Sequence, residues 1–198
     1  MVGESEFRPS DESTGWFCIE PMREVDLSEV LAIEQASFKY PWKGASFEAE
    51  MEKPYAGLKV ARVKTLARPL VGYVCFWLVV DELQVTNIAV HSHYRRRGLG
   101  EHLLMHALQL GYHTGARSAV LEVAWSNRPA RALYEKLGFV ALHSRPGYYS
   151  ESNEDALVMG LSLDQWEVKG MKHNTVEADR GGMELERSNS SSLGRIAI

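Results

Sequence analysis

The stretch that most constrains the fold lies near the middle of the chain. A run rich in β-branched residues ends at Val90, passes through His91 and Tyr94 into Arg95-Arg96-Arg97-Gly98-Leu99-Gly100, and enters a helix directly. Leu99, Leu103, Leu104, Ala107 and Leu108 recur at helical spacing, so one face of the segment 98–112 must be buried against a flat apolar surface. The preceding residues supply one. The runs 58–63, 70–80 and 82–90 are enriched in Val, Leu and aromatic residues and separated by Arg68-Pro69 and Asp81, which predicts an antiparallel meander of three strands. Strand, loop and amphipathic helix in succession indicate an α/β class, and 198 residues with 45% hydrophobic content suffice for one domain with one core.

The flanking segments extend this pattern. Residues 16–21 read as a strand, and Asp26 stands where it would cap a helix that carries Leu27, Val30, Leu31 and Ile33 to about Phe38. Tyr40-Pro41-Trp42 breaks that helix, because proline disfavours helix at the residue before it, and a short helix over 46–53 follows. After a stop at Gly115 come a strand over 118–124 and a helix capped by Asn127, with Pro129 in its first turn and Gly138 at its end. Strands over 139–143 and 156–163 close the order βααβββαβαββ. Residues 1–15 are expected to be a flexible extension, 16–165 the folded domain and 166–198 a disordered tail, since neither end offers a repeating apolar face.

Several classes fall away. The first 15 residues are acidic and polar where an export signal needs a basic start and an apolar stretch, and the apolar run 71–80 is half of the ~20 residues a membrane-spanning helix requires. Cys18 and Cys75 sit in apolar runs and read as reduced and buried, which suits the cytoplasm; no membrane association is expected. A net charge of −4 weighs against direct nucleic-acid binding. His102 and His106 have metal-ligand spacing on one helix, but no Cys or third His joins them, so no metal is expected.

The loop itself suggests anion chemistry. Amides at a helix N-terminus lack intrahelical partners, and with the helix dipole they favour a bound phosphate. Gly98 and Gly100 allow close backbone approach and the arginines add charge, so a diphosphate fits; a solvated basic turn or a small nucleic-acid patch fits the same residues. No Lys-Ser or Lys-Thr follows the second glycine, which disfavours a Walker-type nucleotide loop.

Arg95-x-x-Gly98-x-Gly100 after a strand resembles motif A of the GNAT superfamily of acetyltransferases, and the element order agrees with that fold. Asn87-Ile88-Ala89-Val90, Leu121-Glu122-Val123, Ser126-Asn127, Ala132-Leu133-Tyr134-Glu135, Leu137-Gly138-Phe139, Tyr40-Pro41-Trp42 and Arg145-x-x-Tyr148-Tyr149 resemble its bacterial RimI-type branch, over roughly 17–163. That branch acetylates a ribosomal-protein N-terminus. The resemblance implies an α/β GNAT fold with a mixed sheet of about seven strands and about four helices, acetyl-CoA as cosubstrate, and a protein or peptide N-terminus, beginning with alanine, as acceptor. It implies that Ile88, Ala89 and Val90 lend backbone groups to the pantetheine arm and the acetyl carbonyl. Arg95, Arg96, Arg97, Gly98, Leu99, Gly100 and Glu101 would surround the pyrophosphate, and Asn127 would contact the arm. Glu122 would accept a proton and Tyr134 donate one, while Tyr40 and Trp42 face Tyr148 and Tyr149 across a peptide cleft. Ala124-Trp125 and Gly147 depart from the branch pattern near the acceptor.

The chemistry of acetyl transfer asks for a neutral amine, a place for negative charge on the carbonyl oxygen and a proton for the departing thiolate. Glu122 alternates with Leu121 and Val123 and faces away from them, yet apart from the resemblance it reads equally as a solvated strand glutamate. Tyr134 shares a helix face with Ala130 and Leu137 and reads equally as a core tyrosine. The amides of Ile88 to Val90 can serve the carbonyl oxygen only if the strand is bulged or splayed there. Acetylation of a lysine or a small amine, and a non-catalytic acetyl-CoA-binding module, are the alternatives.

Overall fold

The computed structural model describes residues 15–149, 154–164 and 195–198; the extension before Gly15 and the stretch 165–194 lie outside the described residues. Its elements are β1 (Phe17–Pro21), α1 (Leu27–Ser37), α2 (Gly44–Met51), β2 (Ala56–Val63), β3 (Leu70–Val79), β4 (Glu82–Val90), α3 (Leu99–His113), β5 (Ser118–Ala124), α4 (Arg128–Lys136), β6 (Val140–Tyr149), β7 (Glu154–Ser162) and β8 (Arg195–Ala197). This is the predicted order with one strand added. Seven strands run β1-β2-β3-β4-β5-β7-β6, and β8 pairs beside β4. The pairs β4–β5 and β4–β8 are parallel, and the others are antiparallel.

The meander is apolar on both faces because both are covered. Alternation along β3 sends Val74 and Phe76 toward Leu103, Leu104, Ala107 and Leu108 of α3, and Tyr73 and Cys75 toward Val30 and Ile33 of α1 and Phe47 of α2. Each fully buried leucine of α3 contributes about 1.5–3 kcal/mol of transfer free energy, which is what holds a helix of this length against the sheet. The helix α4 begins and ends as its sequence predicts: Asn127 Oδ1 accepts from the Ala130 N–H at 3.3 Å, and Gly138 (φ 95°) turns the chain so that the Phe139 N–H reaches Tyr134 O at 2.9 Å.

Three expectations are corrected. Asp26 makes no side-chain cap on α1; its carboxylate accepts instead from the Arg23 N–H at 2.8 Å and from Arg62 Nη2 at 2.7 Å. β6 extends well past residue 143, through Pro146 and Gly147, because it is the edge strand, where proline's missing N–H leaves no partner unpaired. Cys18 is half-buried rather than buried, with Arg68 Nη2 at 3.5 Å from its sulfur. No helix among the described residues is long and apolar enough to cross a membrane.

Candidate active site

The site begins where two parallel strands part. β4 and β5 pair only from Glu82/Ser118 to Val85/Leu121, and beyond that point β4 runs on to Val90 and β5 to Ala124 without pairing to each other. The register of β3 against β4 shifts there too: Cys75 faces Asn87 while Phe76 faces Val85, so Thr86 is the inserted residue of a bulge. A bulge adds local twist and re-aims the strand, which opens the fork. Thr86 Oγ1 is buried beside it with no hydrogen-bond partner among the described residues, an arrangement that costs about 1–3 kcal/mol unless a ligand or water completes it. The strand is thus bulged at Thr86 and splayed from β5, while Ile88 and Ala89 themselves are paired on both edges, by β3 and by β8. Its open edge carries the chain's own β8, in register Asn87↔Arg195, Ile88↔Ile196 and Ala89↔Ala197.

The loop after β4 places a helix start beside the fork. Gly98 is the N-cap of α3 at φ 78° and supplies no side chain to the first-turn amides. An L-residue in this left-handed conformation is strained by roughly 1–2 kcal/mol, as Arg96 is at φ 62°, so the backbone favours glycine before any ligand is considered. The arginines divide their work. Arg95 turns back, donating from Nε to Val90 O at 2.8 Å and from Nη2 to Ser37 Oγ at 3.0 Å, and so braces the loop against β4 and α1. Arg96 and Arg97 are exposed, and Arg97 lies over the Tyr94 ring at 5.5 Å. Leu99 is a core anchor and Gly100 is buried. Glu101, the acidic residue of the first turn, is paired by Lys136 Nζ at 2.7 and 2.9 Å, which offsets part of its repulsion toward an anion and ties α3 to α4. His102 Nδ1 faces Gly98 O at 2.9 Å, and no group of three or more His, Cys, Asp or Glu among the described residues is placed to hold a metal.

Glu122 is the first residue of β5 past the fork and is buried. Leu121 and Val123 point into the α3 layer, so the Glu122 carboxylate points to the other face. Arg145 Nη1 donates to Glu122 Oε1 at 2.7 Å, and its guanidinium lies over the Tyr148 ring at 4.7 Å. Glu122 Oε2 is buried and takes no hydrogen bond from the described residues. Burial, the charge of the Glu122 carboxylate and a hydrogen bond to it push the Tyr148 phenol up to about 12, against the opposing charge of Arg145. Tyr134 is fully buried on the α3 side and packs on Phe139 with ring centroids 5.8 Å apart. Carboxylate and phenol therefore lie on opposite faces of the sheet. Asn127 combines its capping role with a position at the end of β5, on the β5–α4 connection.

The expected rim is described in part. Tyr40 is exposed, with Lys39 Nζ over its ring at 5.2 Å, and Trp42 packs edge-on against Phe47 at 5.2 Å. The side chain of Tyr149 lies outside the described residues. Two residues were given no role from the sequence. Arg145, quoted there only within its motif, is one. The other is Glu34, fully buried, whose Oε1 accepts from the Trp42 backbone N–H at 2.7 Å and whose Oε2 accepts from the Tyr73 hydroxyl and from Asn87 Nδ2. It fastens the α1–α2 connection to β4 at the fork. The signal was a glutamate four positions after Val30, on the apolar stripe of its helix.

A parallel pair that opens beside a glycine-started helix, with a carboxylate and a phenol on either side, is the architecture of an acyl-group transferase. The chain belongs to the Acetyltransferase (GNAT) family, which it matches over residues 27–139. It is 40% identical over 145 residues to a Bacillus subtilis (strain 168) protein named as a candidate [ribosomal protein bS18]-alanine N-acetyltransferase, covering 73% of this chain and 94% of that one. It is 33% identical over 147 residues to the [ribosomal protein bS18]-alanine N-acetyltransferase of Escherichia coli (strain K12), covering 73% and 97%. The crystal structure of the ribosomal-protein-S18-alanine N-acetyltransferase from Escherichia coli superposes with a TM-score of 0.68 at 30% identity, covering 79% of this chain and 99% of that one.

Proposed function

We propose that this chain transfers an acetyl group from acetyl-CoA to the N-terminal α-amino group of a protein in the cytoplasm, with a ribosomal protein that begins with alanine as the acceptor. The observation that carries the reading is the fork between β4 and β5, bulged at Thr86 and ending on the α3 N-terminus. Acetyl-CoA fits the residues present: its arm is an extended chain with amide groups that would take the β4 edge now held by β8, Thr86 Oγ1 is buried with no hydrogen-bond partner among the described residues, and the α3 amides suit a diphosphate. When bound it supplies an acetyl group activated as a thioester.

The chain's own groups do the rest. Glu122 Oε2 accepts a proton from the incoming amine, directly or through one water; an α-amino group has a pKa near ~8, so a modest base suffices at neutral pH. Arg145 on Oε1 fixes the direction of the carboxylate. An amide on the edge of β4 away from β3, that of Ile88 or Val90, faces the acetyl oxygen, and Tyr134 Oη returns a proton to the departing sulfur, whose pKa is near ~8.5. The rim of Tyr40, Trp42, Tyr148 and Tyr149 suits an extended peptide.

The test is transfer of labelled acetyl groups to short peptides that vary at their first residues and carry an internal lysine. Label on the α-amine, greatest for alanine-initiated peptides, is the expected result. Label mainly on lysine or on small amines contradicts it.

A further inference from the structure

We infer that the segment Arg195–Ile198 is an internal competitor of the acetyl donor, docked as a parallel strand in the fork that the donor's arm must enter. The inference rests on the acetyl-CoA reading for what is displaced, and on the pairing of β8 with β4 for what displaces it. β4 has an unpaired edge past Val85 because β5 has turned away, and Arg195–Ala197 pairs with that edge at Asn87–Ala89. The side chains alternate into both core layers: Ala197 packs with the cluster of Phe47, Tyr73 and Ala89, and Ile198 with the cluster of Val90 and Leu99. Ile198 also sits on the helix start. A Cβ built on Gly100 would lie 2.8 Å from Ile198 Cγ2, so the bare surface of the phosphate-binding turn is covered by this side chain. One short segment thus takes both the ladder and the floor of the anion site.

The tether permits it. About 30 residues, 165–194, separate β7's end from the docked strand, and at up to ~3.5 Å per residue they span any distance across a domain of this size. A segment held on the same chain binds at an effective concentration on the order of mM, so even a weak strand pairing raises the apparent KM for a competing ligand while leaving turnover at saturation unchanged. The three-residue ladder and two small apolar contacts are weak enough to be displaced by a ligand that also brings a diphosphate.

The experiment compares the full chain with a variant lacking residues 193–198 and with the full-length double variant Ala197→Asp/Ile198→Asp. Both variants should show KM for acetyl-CoA lowered about 10-fold, with kcat at saturating acetyl-CoA within twofold of the full chain. The peptide Leu-Gly-Arg-Ile-Ala-Ile added to the shortened form should inhibit competitively against acetyl-CoA and not against the acceptor peptide. Equal KM values with no inhibition by the peptide overturn the proposal. Hydrogen exchange at the Ile88 amide, the one of Asn87–Ala89 that faces β8 rather than β3, measured without acetyl-CoA, reads docking by itself: faster exchange in the shortened form supports it, and unchanged exchange overturns it. Absence of acetyl-CoA binding in every form overturns the coenzyme reading and the competition with it, and the exchange difference separates that case from a failure of docking.

Discussion

Glu122 and Tyr134 are asked to move the two protons of the reaction, and each role has a distinct kinetic consequence. Replacing Glu122 by Gln keeps the hydrogen bond from Arg145 but removes the base, so kcat/KM should fall about 10²-fold at pH 7. The deficit should shrink toward pH 9, where an amine of pKa ~8 is already mostly neutral. A deficit constant from pH 7 to 9 would assign Glu122 to substrate positioning. Tyr134→Phe should lower kcat by about 10²-fold with acetyl-CoA affinity unchanged, since the ring packing on Phe139 survives; unchanged turnover would remove the acid role. The sequence carried both residues through their motif, but not Arg145's grip on Glu122, because that contact joins β6 to β5 across β7 and depends on a sheet register no local pattern states. Glu34 was missed for a different reason: hydrophobic periodicity scores a buried carboxylate as a flaw in the stripe, whereas Trp42, Tyr73 and Asn87 converge on it.

Strands and helices with strong internal patterns were legible, and those defined by a neighbour were not. The meander β2–β3–β4 is buried on both faces and the helix α3 on one, which writes apolar runs and a helical stripe into the sequence. β6 carries Pro146 and Gly147, signals that end a strand in isolation, and persists because an edge strand needs only one partner. β8 has three residues and no period; it exists because β4 presents an open edge. The turn into α3 was legible as glycines, though its arginines have different uses, with Arg95 bracing the loop through Val90 and Ser37. Gly98→Ala should therefore cost about 1–2 kcal/mol in denaturant unfolding, through φ 78° alone, since its methyl would meet only ordinary contacts with His102. Stability equal to the parent would contradict the left-handed N-cap.

The molecule as a whole is a sheet with a helical layer on each face, and its pH response reflects what that burial encloses. His106 lies half-buried on α3, and burial together with Lys59 lowers its pKa from 6.5 to about 4. Between those values the unfolded chain binds a proton that the folded chain refuses, so stability is complete above pH 6.5 and is lost as pH falls toward 4. With allowance for partial solvation the loss from pH 7 to pH 5 should be about 1–2 kcal/mol by urea denaturation, and His106→Gln should abolish that part. An identical slope in the variant would place the proton uptake elsewhere. The two faces meet at the fork, where the acetyl donor is to enter the sheet, and the most direct measurement is an amide NMR titration of the variant lacking residues 193–198 with acetyl-CoA. Saturable shifts concentrated at Thr86–Val90 and at Gly98–Glu101 are predicted; saturation without change at those amides, or no saturation at all, would contradict the account.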